Sequence, residues 1–136
     1  MRAVFADTFY WVALTNPDDP YYRMVLDRKD EIADASIFST DGVLSEFLTF
    51  FAGDARLRDR AGRTVEALLE APSIRVIPES RRTFLSGLKL YRARPDKGYS
   101  LTDCVSMRTM TQEGLTEVLT NDRHFEQEGF RALFRS

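Results

Sequence analysis

The sequence predicts an α/β domain built on a mostly parallel sheet, and two observations carry that reading. Short apolar runs rich in β-branched or aromatic residues alternate along the chain with longer stretches of helical periodicity. The 136 residues, 43% hydrophobic and 29% charged, suit one globular domain spanning 1–136, with no repeat, low-complexity tract or linker.

Each element follows from its local pattern. RAVFAD reads as a strand ending at an acid, TFYWVALTN begins a helix or turn, and NPDDP breaks it. YYRMVLDRKDEI is predicted as one helix and IFST as the second strand. Val43, Leu44, Phe47, Leu48 and Phe51 then fall at helical spacing, with Gly53 as the stop. Leu57, Ala61, Val65, Leu68 and Leu69 form a longer stripe closed by Pro72. SIRVIP is a strand, and Ser80 caps a helix carrying Phe84, Leu85, Leu88 and Tyr91. RARPDKGY is a loop, LTDCVSMRTMTQEG a helix ended by Gly114, and TEVLTN a strand. DRHFEQEG is a short turn or helix and FRALF the last strand.

Composition narrows the function classes. A net charge of −2 supplies no general attraction to polyanions, so nucleic acid would need a local basic surface or bound cations. The single cysteine, Cys104, excludes an internal disulfide and a thiolate metal cluster and fits a reducing cytoplasm. Asp7 interrupts the apolar start where a signal peptide needs its hydrophobic stretch, and no run is long enough to span a membrane.

In parallel α/β sheets, binding groups gather beyond the carboxyl ends of the strands. Asp7 closes the first strand, Asp122 follows TEVLTN, Asp103 begins a helix whose loop returns to the same edge, and Glu46 lies early in the helix after IFST. Each acid alone has a plainer use: a helix cap for Asp7, a solvated or helix-end position for Glu46, a first-turn acid capped by Ser100 or Thr102 for Asp103, and an Asx turn for Asp122. Four converging carboxylates, however, repel one another unless a cation compensates. Oxygen ligands favour Mg2+ or Mn2+, and such a site suits phosphodiester hydrolysis.

Four segments extend the argument. VFADTFYWVAL, TDGVLSEFL, YSLTDCVSM and LTNDRHFEQEGF occur in the order and spacing of the PIN-domain family, and the chain resembles its VapC-like ribonuclease toxins from end to end. The resemblance implies a three-layer α/β/α sandwich with a mostly parallel central sheet. It also implies a Mg2+- or Mn2+-dependent endoribonuclease, with water attacking in line to leave a 5'-phosphate and a 3'-hydroxyl. Asp7, Glu46, Asp103 and Asp122 would be its catalytic and metal-holding quartet, with Thr8 and Ser100 as the groups that orient a carboxylate or contact phosphate. A homodimer and a small antitoxin protein are the implied partners, beside RNA.

Further residues are candidates at the margin of this pattern. Asp96 lies in a turn-forming PDKG and is a candidate extra acid; His124, the only histidine, fixes the turn or contacts substrate. Arg81, Arg82, Lys89, Arg92 and Arg94 form a basic concentration leading toward Asp103, whereas Arg56, Arg58, Arg60 and Arg63 are interleaved with acids. Phe9, Tyr10, Trp11, Tyr21 and Tyr22 could stack on bases, with the core or an interface as the plainer use and the preferred one for Trp11. Two alternatives stand beside the nuclease: a catalytically silent PIN-like domain that binds RNA or protein, and a magnesium-binding phosphoacceptor receiver. The second fits less well because one acid follows the first strand and no lysine follows the last.

Overall fold

Strands β1 (Ala3–Ala6), β2 (Ser36–Thr40), β3 (Ile74–Ile77), β4 (Glu117–Leu119) and β5 (Arg131–Ala132) form one sheet in the order β3-β2-β1-β4-β5. The computed structural model describes residues 2–135, and every neighbouring strand pair in it is parallel. Between strands run helices α1 (Thr8–Thr15), α2 (Tyr22–Asp27), α3 (Asp41–Phe50), α4 (Ala55–Glu70), α5 (Arg81–Ala93), α6 (Leu101–Gln112) and α7 (Arg123–Gln127). The predicted three-layer α/β/α sandwich is the observed architecture.

The strand order places the functional edge. From β1 the chain adds β2 and β3 on one side, then returns through α5 and α6 to add β4 and β5 on the other. Parallel crossovers are right-handed, so this reversal sends α5 and α6 to the opposite face from the earlier helices. The switch point lies between β1 and β4, whose carboxyl ends deliver residues 7 and 120–122. Receiver domains use the order 2-1-3-4-5; the order here differs and removes that alternative.

Capping chemistry explains where the helices start. Thr40 accepts from the Val43 N–H at 3.1 Å, and Asp54 accepts from those of Arg56 and Leu57 at 3.1 and 3.0 Å. Ser80 with Thr83, and Ser100 with Asp103, form reciprocal capping boxes at α5 and α6. Val4, Phe5, Val43, Phe47, Met107, Met110, Val118 and Phe125 are almost wholly excluded from water and form the core at the sheet centre.

Three expectations need correction. The helix predicted over YYRMVLDRKDEI divides at Arg28 into α2 and a 3-10 turn at Lys29–Ile32. Arg28 donates to the Leu133 carbonyl at 2.6 Å and lies over the Phe134 ring, tertiary contacts that propensity could not foresee. Of the predicted apolar stripes, Leu48, Leu69, Leu85 and Tyr91 are exposed, because each helix buries a narrower face than its hydrophobic pattern spans. The last strand is reduced from FRALF to two residues.

Gly87 marks the close approach of α5 to α6. A Cβ there would stand 3.0 Å from the Val105 backbone nitrogen and 3.1 Å from its Cα. Gly87→Ala is therefore expected to destabilise the protein by about 1–3 kcal/mol through forced separation of the helices, measured as a lowered urea midpoint at unchanged slope.

Candidate metal centre at the sheet switch point

Asp7 leaves β1 directly into the sheet rim and is 6% exposed. It occupies the N-cap position of α1 but makes no capping bond; its Oδ2 instead accepts the Thr120 hydroxyl at 2.9 Å. The same Thr120 oxygen accepts the Asp122 N–H at 3.2 Å, so one buried hydroxyl ties the ends of β1 and β4 together. Asp122 is the N-cap of α7, its Oδ1 accepting the His124 N–H at 2.9 Å.

The other acids arrive from helices. Glu46 stands one turn into α3, exposed on its rim side, and accepts the Thr8 hydroxyl at 2.6 Å. Asp103 is the third residue of α6: Ser100 Oγ accepts its N–H at 3.0 Å while its Oδ2 accepts the Ser100 N–H at 3.3 Å. That box spends one carboxylate edge on the helix end and fixes the side chain's direction.

Electrostatics records how close the acids stand. Burial pushes Asp7 up to about 7, reinforced by the negative charges of Asp103 and Glu46 and opposed by the Thr120 hydroxyl and the Thr8 backbone N–H. Asp103 is also raised, first by burial and then by Asp122, with Glu46 adding to it and His124 and the Ser100 N–H opposing. These mutual effects link all four acids across one rim. A carboxyl poised like Asp7 is a mark of a functional site as much as of a structural misfit.

His124 completes the cluster. Its Nδ1 lies 3.6 Å from Asp103 Oδ2 and 3.5 Å from Asp122 Oδ1, and one donor atom from each of the three residues lies within 4.8 Å of the others. The Nδ1 atom is buried and makes no hydrogen bond. An oxygen-rich donor set with one orphaned nitrogen fits a divalent cation. Among the described residues, Asp103, Asp122 and His124 are the group whose donor atoms lie close enough together to hold one, and Asp7 and Glu46 are coupled to it through their charges.

The remaining candidates lie apart. Asp96 is exposed and pairs with Lys97 at 3.8 Å. Arg81, Arg82, Lys89 and Arg92 are exposed on α5, whereas Arg94 is committed to Glu128 through two 3.0 Å bonds. Trp11 and Tyr10 are core residues, with the Trp11 indole donating to Ser39 Oγ at 3.3 Å. Cys104 is buried, and burial pushes its thiol up to about 11, which removes it as a nucleophile.

Sequence reasoning missed Thr120, Tyr99, Glu128 and Ser39. Thr120 left a signal, a hydroxyl two residues before an acid in a turn. Tyr99 and Glu128 meet only in the fold, where the Tyr99 hydroxyl donates to Glu128 Oε1 at 3.1 Å. Ser39 donates to the Ala6 carbonyl at 3.0 Å and steadies the strand end before Asp7.

Fold and site together define a parallel α/β protein with an acidic rim at the switch point. The chain belongs to the PIN-domain family, whose model matches residues 4–130. Its fold is similar to that of VapC20 from Mycobacterium tuberculosis, described as a sarcin–ricin loop cleaving toxin, at a TM-score of 0.83 and 21% identity over 93% of this chain and 95% of that one. FitAcB from Neisseria gonorrhoeae matches at a TM-score of 0.67 and 16% identity, covering 95% of each chain. VapBC2 from Rickettsia felis, bound to a DNA fragment from its promoter, matches at 0.66 and 16%, covering 96% of each. No curated protein matches the sequence. Among the described residues no helix is long and apolar enough to cross a membrane.

The raised Asp7 has a stability consequence with a definite sign. Its folded pKa of about 7 lies above the ordinary 3.8, so the folded state holds the extra proton and stability falls as pH rises between those values. Asp7→Asn keeps an acceptor for Thr120 and removes the buried charge. In EDTA, urea unfolding should find it more stable than the parent by on the order of a few kcal/mol above about pH 7, a gap that closes by about pH 4.

Proposed function

We propose that this protein is a Mg2+- or Mn2+-dependent endoribonuclease, the toxin of a toxin–antitoxin pair, acting through one PIN-like domain at residues 1–136. The observation that carries this reading is the convergence of four carboxylates on one rim, with Asp7 buried against the charges of Asp103 and Glu46. Crowding of that kind is costly in an empty site and is relieved by a divalent cation. The bound ion would supply Lewis acidity toward a phosphoryl group and neutralise the charge that develops in hydrolysis.

The chain's own residues perform the positioning. Asp7, Asp103 and Asp122 present oxygens from β1, α6 and the turn after β4, and Glu46 closes the rim from α3. The Thr8 hydroxyl holds Glu46, the Thr120 hydroxyl holds Asp7, and the Ser100 backbone N–H holds the Asp103 carboxylate, so these three side chains are oriented before an ion binds. Arg82, Lys89 and Arg92, exposed on α5, with Arg81 lying over the Phe84 ring beside them, supply the cations to meet the RNA backbone, which a chain of net charge −2 needs. The likeness to VapC20, a toxin that cleaves the sarcin–ricin loop, supports RNA as substrate. The same reading takes a second copy of the chain and a small antitoxin protein as its partners, in a cytoplasmic setting.

A catalytically silent PIN-like binding module is the competing reading. Asp7→Asn and Asp103→Asn should each lower metal-dependent cleavage of RNA by at least about 100-fold while the protein stays folded. Cleavage unaffected by either replacement removes the site; a folded parent inactive on every RNA with Mg2+ or Mn2+ favours the binding module.

A further inference from the structure

We infer that His124 is itself a metal ligand through Nδ1, giving the site one nitrogen donor beside Asp103 and Asp122 and a preference for Mn2+ over Mg2+. The inference rests on the proposed metal site and adds to it which ion that site selects.

The geometry favours ligation over an ion pair. Nδ1 is 3.5 Å from Asp122 Oδ1 and 3.6 Å from Asp103 Oδ2, too long for hydrogen bonds to either. Adjacent ligands of an octahedral ion held at about 2.1 Å stand about 3 Å apart, so a shift of roughly half an ångström would bring Nδ1 to ligand spacing from either carboxylate, and the donor atoms of all three residues already lie within 4.8 Å of one another. A buried Nδ1 with no hydrogen bond has only the carboxylates 3.5 and 3.6 Å away to face, and an ion between it and them would give it a direct partner.

The ring is braced from outside the site. Tyr99 meets it edge-on, with centroids 5.3 Å apart. Tyr99 is held through its hydroxyl by Glu128, and Glu128 is gripped by both arms of the Arg94 guanidinium. Behind it, the 95–99 loop turns at Gly98, whose φ of +74° suits glycine. The His124 backbone N–H donates to the Asp122 carboxylate, tying the two residues together at the start of α7. A histidine braced in this way keeps its nitrogen aimed at the rim with little entropy left to lose.

Selectivity follows from the donor set. Mg2+ takes oxygen ligands and gives up its waters reluctantly, whereas imidazole suits transition ions, of which Mn2+ also accepts carboxylates. Removing the nitrogen should therefore cost Mn2+ and leave Mg2+ nearly untouched.

The test uses the full chain and a readout independent of RNA cleavage. Pulsed electron paramagnetic resonance of Mn2+ bound to the parent should detect nitrogen hyperfine coupling from a directly bonded imidazole. His124→Phe keeps a ring against Tyr99 and removes the donor; it should lose the coupling, lower Mn2+ affinity by at least about tenfold, and change Mg2+ affinity by less than about threefold in calorimetry. Mn2+ bound to the parent without nitrogen coupling overturns the inference and leaves the carboxylate site standing, a result that holds whether or not the variant folds. No Mn2+ or Mg2+ binding to the folded parent overturns both.

Discussion

The mutual repulsion of carboxylates at the carboxyl ends of β1 and β4 is the constraint around which the structure is arranged. A parallel sheet whose strand order reverses beside β1 leaves a crevice there, and the chain fills it with acids in place of apolar side chains. Asp7 bears most of the cost, since burial and two neighbouring charges all disfavour its ionised form. A stability-optimised protein would not hold four acids this way; a protein that binds a cation there gains from the strain.

Hydroxyls are the means by which the crowded acids are kept in place. The Thr120 and Thr8 hydroxyls each donate to one carboxylate, and at Asp103 the Ser100 backbone N–H donates to the carboxylate while the Ser100 hydroxyl accepts the Asp103 N–H; none carries a charge that would neutralise the site and compete with a cation. Arginines are held elsewhere: Arg94 with Glu128, Arg2 and Arg131 with Glu117, and Arg135 with Glu126. Positive charge is thus kept at the periphery, where Arg94 acts on the site through Glu128, Tyr99 and the His124 ring. The cavity between α1, α2 and α4, about 520 Å³ and lined by Tyr10, Trp11 and Leu68, lies in a part of the molecule that does not contribute these acids.

The fold was legible because its signals are local. Alternating strand and helix patterns gave the layers, and Ser80, Ser100 and the Gly114 stop marked helix ends that the structure retains. Leu48 and Leu69 were misjudged because periodicity reports which side chains share a face but not how much of that face another element covers. In the site, Asp7 and Asp122 were readable as strand-end acids. The bond from Thr120 to Asp7 joins residues 113 apart, and the Arg94–Glu128–Tyr99–His124 chain is assembled only by the crossover from α5 to α7. Such contacts leave no periodic trace in a single sequence.

Ionisation of Asp7 tests the central claim most directly, by carbon-13 NMR of its carboxyl group in the metal-free protein and again with Mg2+ added. Buried among like charges, the group should titrate near 7 in EDTA, and Mg2+ should drive its midpoint down by more than one unit with release of a proton. A metal-free midpoint in the ordinary carboxylate range, unmoved by Mg2+, would contradict the account: the acids would then be neither crowded nor poised for a cation.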